Sequence, residues 1–379
     1  MQQSEIIIVG GGLVGAAIAY GAASAGACVT LLDQGDIAHR ASRGNFGLVW
    51  VQSKGDSFPA YARWSRDAVA HWPRLAKDLL DLTGVNVALE NAGGFWIGFG
   101  EAEIEARGAM LANISKATGG GTPYEVLDRR ELKARLPAIG PKVAGGTFCL
   151  LDGQVNPLMT LHALHAGLKK RGARIVSSVD IATVSRRGGN GEFEASSKDG
   201  RTWRAARIVL AAGLSNRELA PQVGLHAPVS PSRGQVLITE RLKPFLPFPT
   251  NKARQTHEGT VQLGSSTEDV GLDDSTTVSA IETLARRGIA TFPILSNARL
   301  VRAWGALRVM TPDGSPIYQE SSSHPGAFVA TSHSGVSLAA AHAYVLGPWM
   351  AGFAEEPEGF AEFAGERYLD PSRSFSNAH

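Results

Sequence analysis

Apolar residues fall into two spacings along the chain. Unbroken β-branched runs predict strands buried on both faces: Ile6-Ile7-Ile8-Val9 first, then Cys28-Val29-Thr30-Leu31-Leu32. Between them, a glycine- and alanine-rich stretch predicts a helix from about Leu13 to Ala25, stopped by Gly26 in the manner of a C-cap. Trp64, Ala68, Trp72, Leu75 and Leu79 then recur at three- and four-residue spacing, which predicts one amphipathic helix over 62–82. A further helix is expected at 101–118. Asp128 with Glu131 gives a capping-box start for a helix at 129–136. Gly145 to Asn156 reads as a hairpin turned by Asp152-Gly153. Asn156 then caps a helix that has Pro157 at its first position.

Beyond Gly172, short strands are expected near 174–177, 181–186, 192–196 and 207–211. Residues 232–240 and 259–266 are strand-like, and 276–290 is helical. Near the end, Ala327-Phe328-Val329-Ala330-Thr331 reads as a strand and Ser332-His333-Ser334-Gly335 as a turn. A helix is expected from Val336 to about Met350. The pattern yields elements; it does not by itself assign them to domains.

Composition narrows the class. The chain has 379 residues, two to three domains' worth at roughly 150 residues each. Hydrophobic residues at 44% and charged residues at 19% supply a sizeable core and argue against disorder. A formal charge of +2 argues against a protein that coats nucleic acid or an anionic membrane. Only two cysteines occur, Cys28 and Cys149, in no metal or redox spacing, so a reducing cytoplasm is the expected location. The opening MQQSEIIIVG lacks the basic region of a secretory signal. Residues 6–32 carry no charge over 27 positions, yet six glycines interrupt them. Strand, turn, helix and strand account for that stretch better than a membrane span does.

The turn after the first strand is Gly10-Gly11-Gly12-Leu13-Val14-Gly15, a match to G-x-G-x-x-G. Gly10 permits the sharp turn, Gly12 lets a pyrophosphate approach the backbone, and Gly15 lets helix and strand pack closely. The helix N-terminus, with about +0.5 charge and free N–H groups, suits a diphosphate. Asp33, 18 residues after Gly15 at the tip of the second strand, can accept from ribose hydroxyls and would repel a 2′-phosphate. The motif alone does not separate FAD from NAD. No second G-x-G-x-x-G exists for a pyridine nucleotide beside a flavin.

Three further segments bear on that choice. They are Ala41-Ser42-Arg43-Gly44-Asn45-Phe46-Gly47, the strand end Arg207-Ile208-Val209-Leu210-Ala211-Ala212-Gly213, and the turn Ser332 to Gly335. Together with the N-terminal motif they resemble the D-amino-acid oxidase family of FAD-dependent amine oxidoreductases. The likeness spans Ile6 to about Met350. Ala41 to Gly55 and Gly305 to Ala341 look most like the family's opine oxidase and D-hydroxyproline dehydrogenase FAD subunits. Glycine oxidase is a further relative by this likeness. The resemblance implies an α/β fold: a Rossmann-type FAD-binding domain with a second, mostly antiparallel β-sheet substrate domain. It implies a discontinuous cofactor domain (1–50, 151–220 and 305–379) and a substrate domain (51–150 and 221–304).

By the same resemblance, Gly10, Gly12, Leu13, Val14, Gly15, Asp33 and Gln34 would hold the FAD diphosphate and ribose. Ser42 and Arg43 would contact the phosphates or adenosine, and Asn45, Gly47 and Leu48 would line the flavin. Val179 would contact adenine through its backbone, and Ala212 and Gly213 would pass close to the cofactor. Ser334, Gly335 and Val336 would offer N–H groups to the pyrimidine edge of the flavin. That role has a physical rationale, since hydride transfer to N5 places negative charge around N1 and O2.

The resemblance also implies the chemistry. Arg308, in Gly305-Ala306-Leu307-Arg308, would anchor a substrate carboxylate, a task suited to a planar guanidinium. The competing reading is a surface ion pair with Asp313. His333 is a further catalytic candidate. An amino or imino acid, such as D-hydroxyproline or an opine, would pass hydride to flavin N5 and leave as an imine. The electrons would go to oxygen, a quinone or a partner subunit. The alternative is an FAD-holding relay subunit without its own turnover. His162 and His165, spaced i and i+3, are read as helix-surface residues rather than metal ligands. No metal is expected. The FAD is expected to be non-covalent, because the C-terminal part offers no cysteine.

Overall fold

The computed structural model describes residues 4–35, 41–188, 191–373 and 375. Its framework is an eight-stranded sheet. The chain enters on β1 (Ser4–Val9), turns into α1 (Leu13–Ser24) and returns on β2 (Val29–Leu32), parallel to β1. This is the strand–glycine turn–helix–strand unit expected from the opening residues. Alternate side chains of β1 go to opposite faces. Ile6 and Ile8 pack under the helices, while Ile7 and Val9 face a second core. A strand covered on both sides needs apolar residues at every position, which explains the unbroken run.

After the two-residue strand β3 (Leu48–Val49) come α2 (Pro59–Ala70) and α3 (Trp72–Thr83). The single helix expected over 62–82 is thus two helices breaking at His71. Pro73 sits in the first turn of α3, where its missing N–H costs nothing. One turn deeper in a continuous helix it would remove a hydrogen bond and strike the preceding carbonyl. The apolar stripe survives the break: Trp64, Ala68, Trp72, Leu75 and Leu79 are all buried in one cluster.

Next come β4 (Gly94–Gly98), α4 (Glu101–Ala117), β5 (Tyr124–Asp128), α5 (Arg129–Arg135) and β6 (Gly145–Cys149). At α5 the capping box forms in both directions, Glu131 N donating to Asp128 and Asp128 N to Glu131. β6 is the centre of a three-stranded antiparallel sheet between β4 and β5. The hairpin expected at 145–156 therefore does not form. β7 (Gly153–Gln154) pairs instead with β3. The reason lies in Asp152, which is fully buried. Its carboxylate accepts from Val51 N (2.6 Å) and Gln52 N (3.3 Å), serving tertiary structure rather than a solvent turn.

α6 (Pro157–Lys170) starts as expected, with Asn156 accepting from Leu158 N and Met159 N. β8 (Arg174–Val176), β9 (Ile181–Arg186), β10 (Phe193–Ser197) and β11 (Thr202–Leu210) follow, then the short α7 (Asn216–Leu219). A four-stranded antiparallel sheet comes from β12 (Ser230–Arg241), β13 (Ala253–Gln255), β14 (Thr260–Gly264) and, after α8 (Val278–Thr291), β15 (Leu300–Met310). The boundary expected between 304 and 305 falls inside β15. That strand pairs with β12 from Leu300 to Met310, so it stays with the antiparallel sheet throughout.

β16 (Ile317–Glu320) and β17 (Ala327–Thr331) complete the large sheet, whose main path is β16-β17-β11-β1-β2-β8. Strands β17, β11, β1, β2 and β8 are parallel, and β10 and β9 branch off β11 as an antiparallel arm. The C-terminal helix is irregular. Ala339–Ala341, a π-helical turn at His342–Leu346, and Gly347–Ala351 run on as α9. Residues 333–338 are hydrogen-bonded turns, so regular helix begins three residues later than the expected Val336. Phe95, Ile97 and Leu127 of the three-stranded sheet share one core with Leu237, Val261 and Leu263 of the four-stranded sheet.

Candidate functional site

The glycine turn is built by close approach. Gly10 has φ of +107°, and a Cβ there would lie 2.2 Å from Ala211 O, so the turn sits directly on the end of β11. A Cβ on Gly15 would lie 1.9 Å from Gly10 O. Asp33 ties the turn down: its Oδ2 accepts from Gly11 N at 2.7 Å and its Oδ1 from Gly35 N at 2.8 Å. From the other side, His165 Nε2 donates to Gly11 O at 2.9 Å, and burial lowers the pKa of this ring. Read from sequence as a helix-surface residue, His165 braces the nucleotide turn.

α1 has no side-chain cap at Gly12. Its first N–H, that of Leu13, donates to Ser42 Oγ at 2.9 Å. Along this corner lies a cavity of about 460 Å³. Gly10, Gly12, Leu13, Val14, Asp33, Gln34, Ser42, Asn45, Val179, Ala212, Gly213 and Gly335 line it. Val179 donates its N–H to Asp33 O, so that donor is already engaged. Asn216, missed in the sequence, holds the far wall. Its side chain accepts from Ala212 N (3.0 Å) and donates to Leu210 O (3.1 Å) and Ala330 O (3.4 Å), joining the ends of β11 and β17.

A second cavity, of about 800 Å³, opens beside the first. Ala41, Asn45, Val309, Ser332 and His333 line both, so the two meet there. Leu48, Ser334, Val336 and Arg308 line the second. The turn 332–337 at the junction is braced by three aromatic residues: Trp50 N donates to Ser337 Oγ, Tyr61 Oη to Ser334 Oγ, and Trp72 Nε1 to Ser337 O. Ser334 donates its N–H to Ser332 Oγ at 3.0 Å, so this donor, expected to serve the flavin, is spent locally. Gly15, Arg43 and Gly47 line neither cavity. Gly15 packs helix on strand. Gly47 (φ +89°) takes Asn45 Oδ1 as its acceptor and sits against Val155 O. Arg43 acts on His165, its charge helping to lower that pKa.

Arg308 projects from β15 into the second cavity. Its Nη2 donates to Ser265 Oγ (2.5 Å) and Ser266 O (2.8 Å), and its Nη1 to Arg233 O (3.2 Å). All three acceptors are neutral, and burial lowers the pKa of the guanidinium. Gly234 clears its path, for a Cβ there would lie 2.3 Å from Nη2. The surface pair with Asp313 does not form. Asp313 is engaged by Arg367 and Tyr368. Arg254 is a further residue the sequence did not flag. Fully buried, it donates to Phe46 O and to Gln262 Oε1, fixing the loop that ends at Gly47.

The residues fit a dinucleotide. A helix end with no cap of its own, its first N–H met only by Ser42, a carboxylate at the tip of β2 and backbone close to the cavity wall run from Asp33 to the junction, where a second, more polar chamber begins. A parallel sheet with this corner, roofed by an antiparallel sheet, defines a dinucleotide-dependent oxidoreductase fold.

The chain belongs to the family described as DAO, FAD dependent oxidoreductase, which it matches over residues 5–349, and its cofactor is FAD. It is 40% identical over 371 residues to a subunit of opine oxidase from Agrobacterium tumefaciens (strain Ach5), covering 97% of this chain and 98% of that protein. It is 41% identical over 354 residues to the corresponding opine oxidase chain of Rhizobium meliloti, covering 93% and 94%. The fold is that of the crystal structure of glycine oxidase from Geobacillus kaustophilus, with a TM-score of 0.86, 24% identity, and 96% and 98% of the two chains covered. Among the described residues no helix is long and apolar enough to cross a membrane.

Proposed function

We propose that this enzyme oxidises the C–N bond of an amino or imino acid, a secondary amine carboxylate such as D-hydroxyproline or an opine. One observation carries the reading. A half-buried guanidinium, Arg308, held only by neutral acceptors, lines the chamber that meets the cofactor cavity. Such a group retains donors and its full charge for a carboxylate. Bound FAD supplies the two-electron acceptor. The chain's part is to grip the carboxylate at Arg308 and hold the α-carbon toward the junction at Asn45, Val309 and His333. His333, which lines both cavities, would be the side chain to take a proton leaving the amine. Gly10, Gly12, Leu13, Val14, Asp33, Gln34, Ser42, Val179, Ala212 and Gly213 would serve the cofactor from the wall of its cavity, with Gly15 and Arg43 acting from behind that wall. Asn45, Leu48, Gly335 and Val336 would line its ring, with Gly47 and Ser334 shaping the two turns that carry them. Residues 1–50, 151–220 and 311–379 form the cofactor part, a division supported by the strands of the large sheet.

Replacing Arg308 by Gln should raise KM for carboxylate substrates by roughly ten- to a hundredfold, the contribution of a charged hydrogen bond, with flavin content kept. An unchanged KM removes the anchor. The relatives at 40% and 41% identity are each one component of an opine oxidase, which favours a chain working beside a second polypeptide that receives or relays electrons. If the isolated chain turns over with an artificial acceptor, the partner is an electron outlet. If turnover appears only in the complex, this chain is the relay.

A further inference from the structure

The chamber beside Arg308 contains a second guanidinium, and this one is buried. Arg107, in α4, is 8% exposed and lines the same cavity. Its guanidinium lies over the Trp96 ring, 5.2 Å from the centroid. Its Nη2 donates to Gln52 Oε1 at 3.2 Å, its Nη1 approaches Met110 Sδ at 3.9 Å, and its Nε has no hydrogen-bond partner. A guanidinium has five N–H donors, and here one conventional bond is made.

What holds Arg107 is itself rigid. Gln52 Oε1 also accepts from Thr147 Oγ1 at 2.6 Å, and Gln52 Nε2 donates to Asp152 Oδ2 at 2.6 Å. Asp152, whose carboxyl pKa is pushed up to about 7 by burial, reaches Arg107 only through an intervening amide. Burial lowers the Arg107 pKa to about 10, against the raising influence of Asp152 and Asp56, and the group is a cation at neutral pH. A desolvated cation with unspent donors is costly unless an anion completes it. Arg308 shares this design: fastened by neutral acceptors, open to the chamber. Lys54 also lines the chamber, but it is only half-buried and lies 5.9 Å from the centroid of the Tyr61 ring.

We propose that Arg107 is a second anion-binding residue of the substrate chamber, so that the preferred substrates carry an acidic group on each side of the amine, one meeting Arg308 and the other Arg107. This rests on the amine-oxidation reading for the nitrogen and for the Arg308 anchor, while the Arg107 site stands on its own geometry. Trp96 and Met110 supply an apolar flank for the carbon chain between them.

The test is a binding measurement on the FAD-loaded protein, read from the perturbed flavin absorbance. The probes are oxydiacetate, with an ether oxygen in place of the amine, and the monocarboxylate methoxyacetate. The wild type should bind oxydiacetate about tenfold or more tighter. Arg107→Gln should abolish that preference while shifting methoxyacetate less than about threefold. Arg308→Gln should weaken both. If Arg107→Gln does not retain flavin, Arg107→Lys replaces it and should bind oxydiacetate more weakly than wild type and methoxyacetate equally. No preference in the wild type, a preference that survives at position 107, or equal weakening of both probes overturns the proposal. Neither probe is oxidised, so a failure of amine oxidation shows separately, as the expected binding pattern with no amine that bleaches the flavin.

Discussion

The two cavities are built by opposite means. The cofactor cavity takes its shape from backbone: a glycine turn, a helix end, the segments just past strand ends at Asp33 and Gly213, and the turn at Gly335. Most of these come from runs of neighbouring residues. The second chamber takes its chemistry from side chains scattered from Ala41 to Ser337, with the guanidinium groups of Arg107 and Arg308 among them. Backbone sites tolerate little change in shape, since nothing can swing aside. Side-chain sites tolerate changes of shape but register every change of charge.

Substitutions at the two sites should separate accordingly. The largest effect is expected at Gly10→Ala, which places a Cβ 2.2 Å from Ala211 O at φ of +107°. Flavin-to-protein ratio after purification should fall to near zero, with a lower Tm. Full flavination would mean that the turn is not packed as described. Asp33→Asn should be milder. It keeps a hydrogen-bonding side chain against Gly11 N and Gly35 N but loses the charge, so FAD affinity should drop by roughly tenfold in a dialysis titration. Affinity equal to wild type would shift the work of Asp33 entirely to the turn.

A smaller effect sharpens the contrast from outside both cavities. His342 is fully buried against Tyr318 Oη at 2.7 Å, and burial lowers its pKa to about 3. The unfolded chain binds a proton here below about pH 6.5, whereas the folded chain does not until far lower. Stability is therefore full above that value and declines as pH falls toward 3, by up to about 1.4 kcal/mol per pH unit from this group. His165, also lowered, adds in the same direction. His342→Gln should flatten the decline in urea midpoint between about pH 6.5 and pH 4.5. An unchanged slope would assign the acid sensitivity to other groups.

The same division explains what the sequence made legible. The first unit was readable because its elements are contiguous: Ile6 to Val9, the glycines, then Asp33 follow one another in one strand–helix–strand unit. Arg308 was readable only through the likeness of its surroundings to a known family. Arg107 left a fainter mark. It stands three residues after Ile104 and four before Leu111, on the inward face of α4 beside Leu111 and Ile114, where a charge is out of place unless something meets it. Asn216, Arg254 and His165 left none: Arg254 and His165 act on backbone far away in sequence, and Asn216 joins nearby backbone at Leu210 and Ala212 to distant Ala330. The hairpin at 145–156 failed for a related reason: Asp152 looks like a turn residue, and only the distant N–H groups of Val51 and Gln52 show its purpose.

The central claim is that electrons cross where the two cavities meet, from a carbon bonded to nitrogen. The most direct measurement is an anaerobic absorbance titration of the FAD-loaded protein with secondary-amine carboxylates. The account expects the visible flavin bands to bleach in proportion to added substrate and to return when an electron acceptor is admitted. Bands that persist with every amino and imino acid tried, both in the isolated chain and in its complex with a partner, would contradict it.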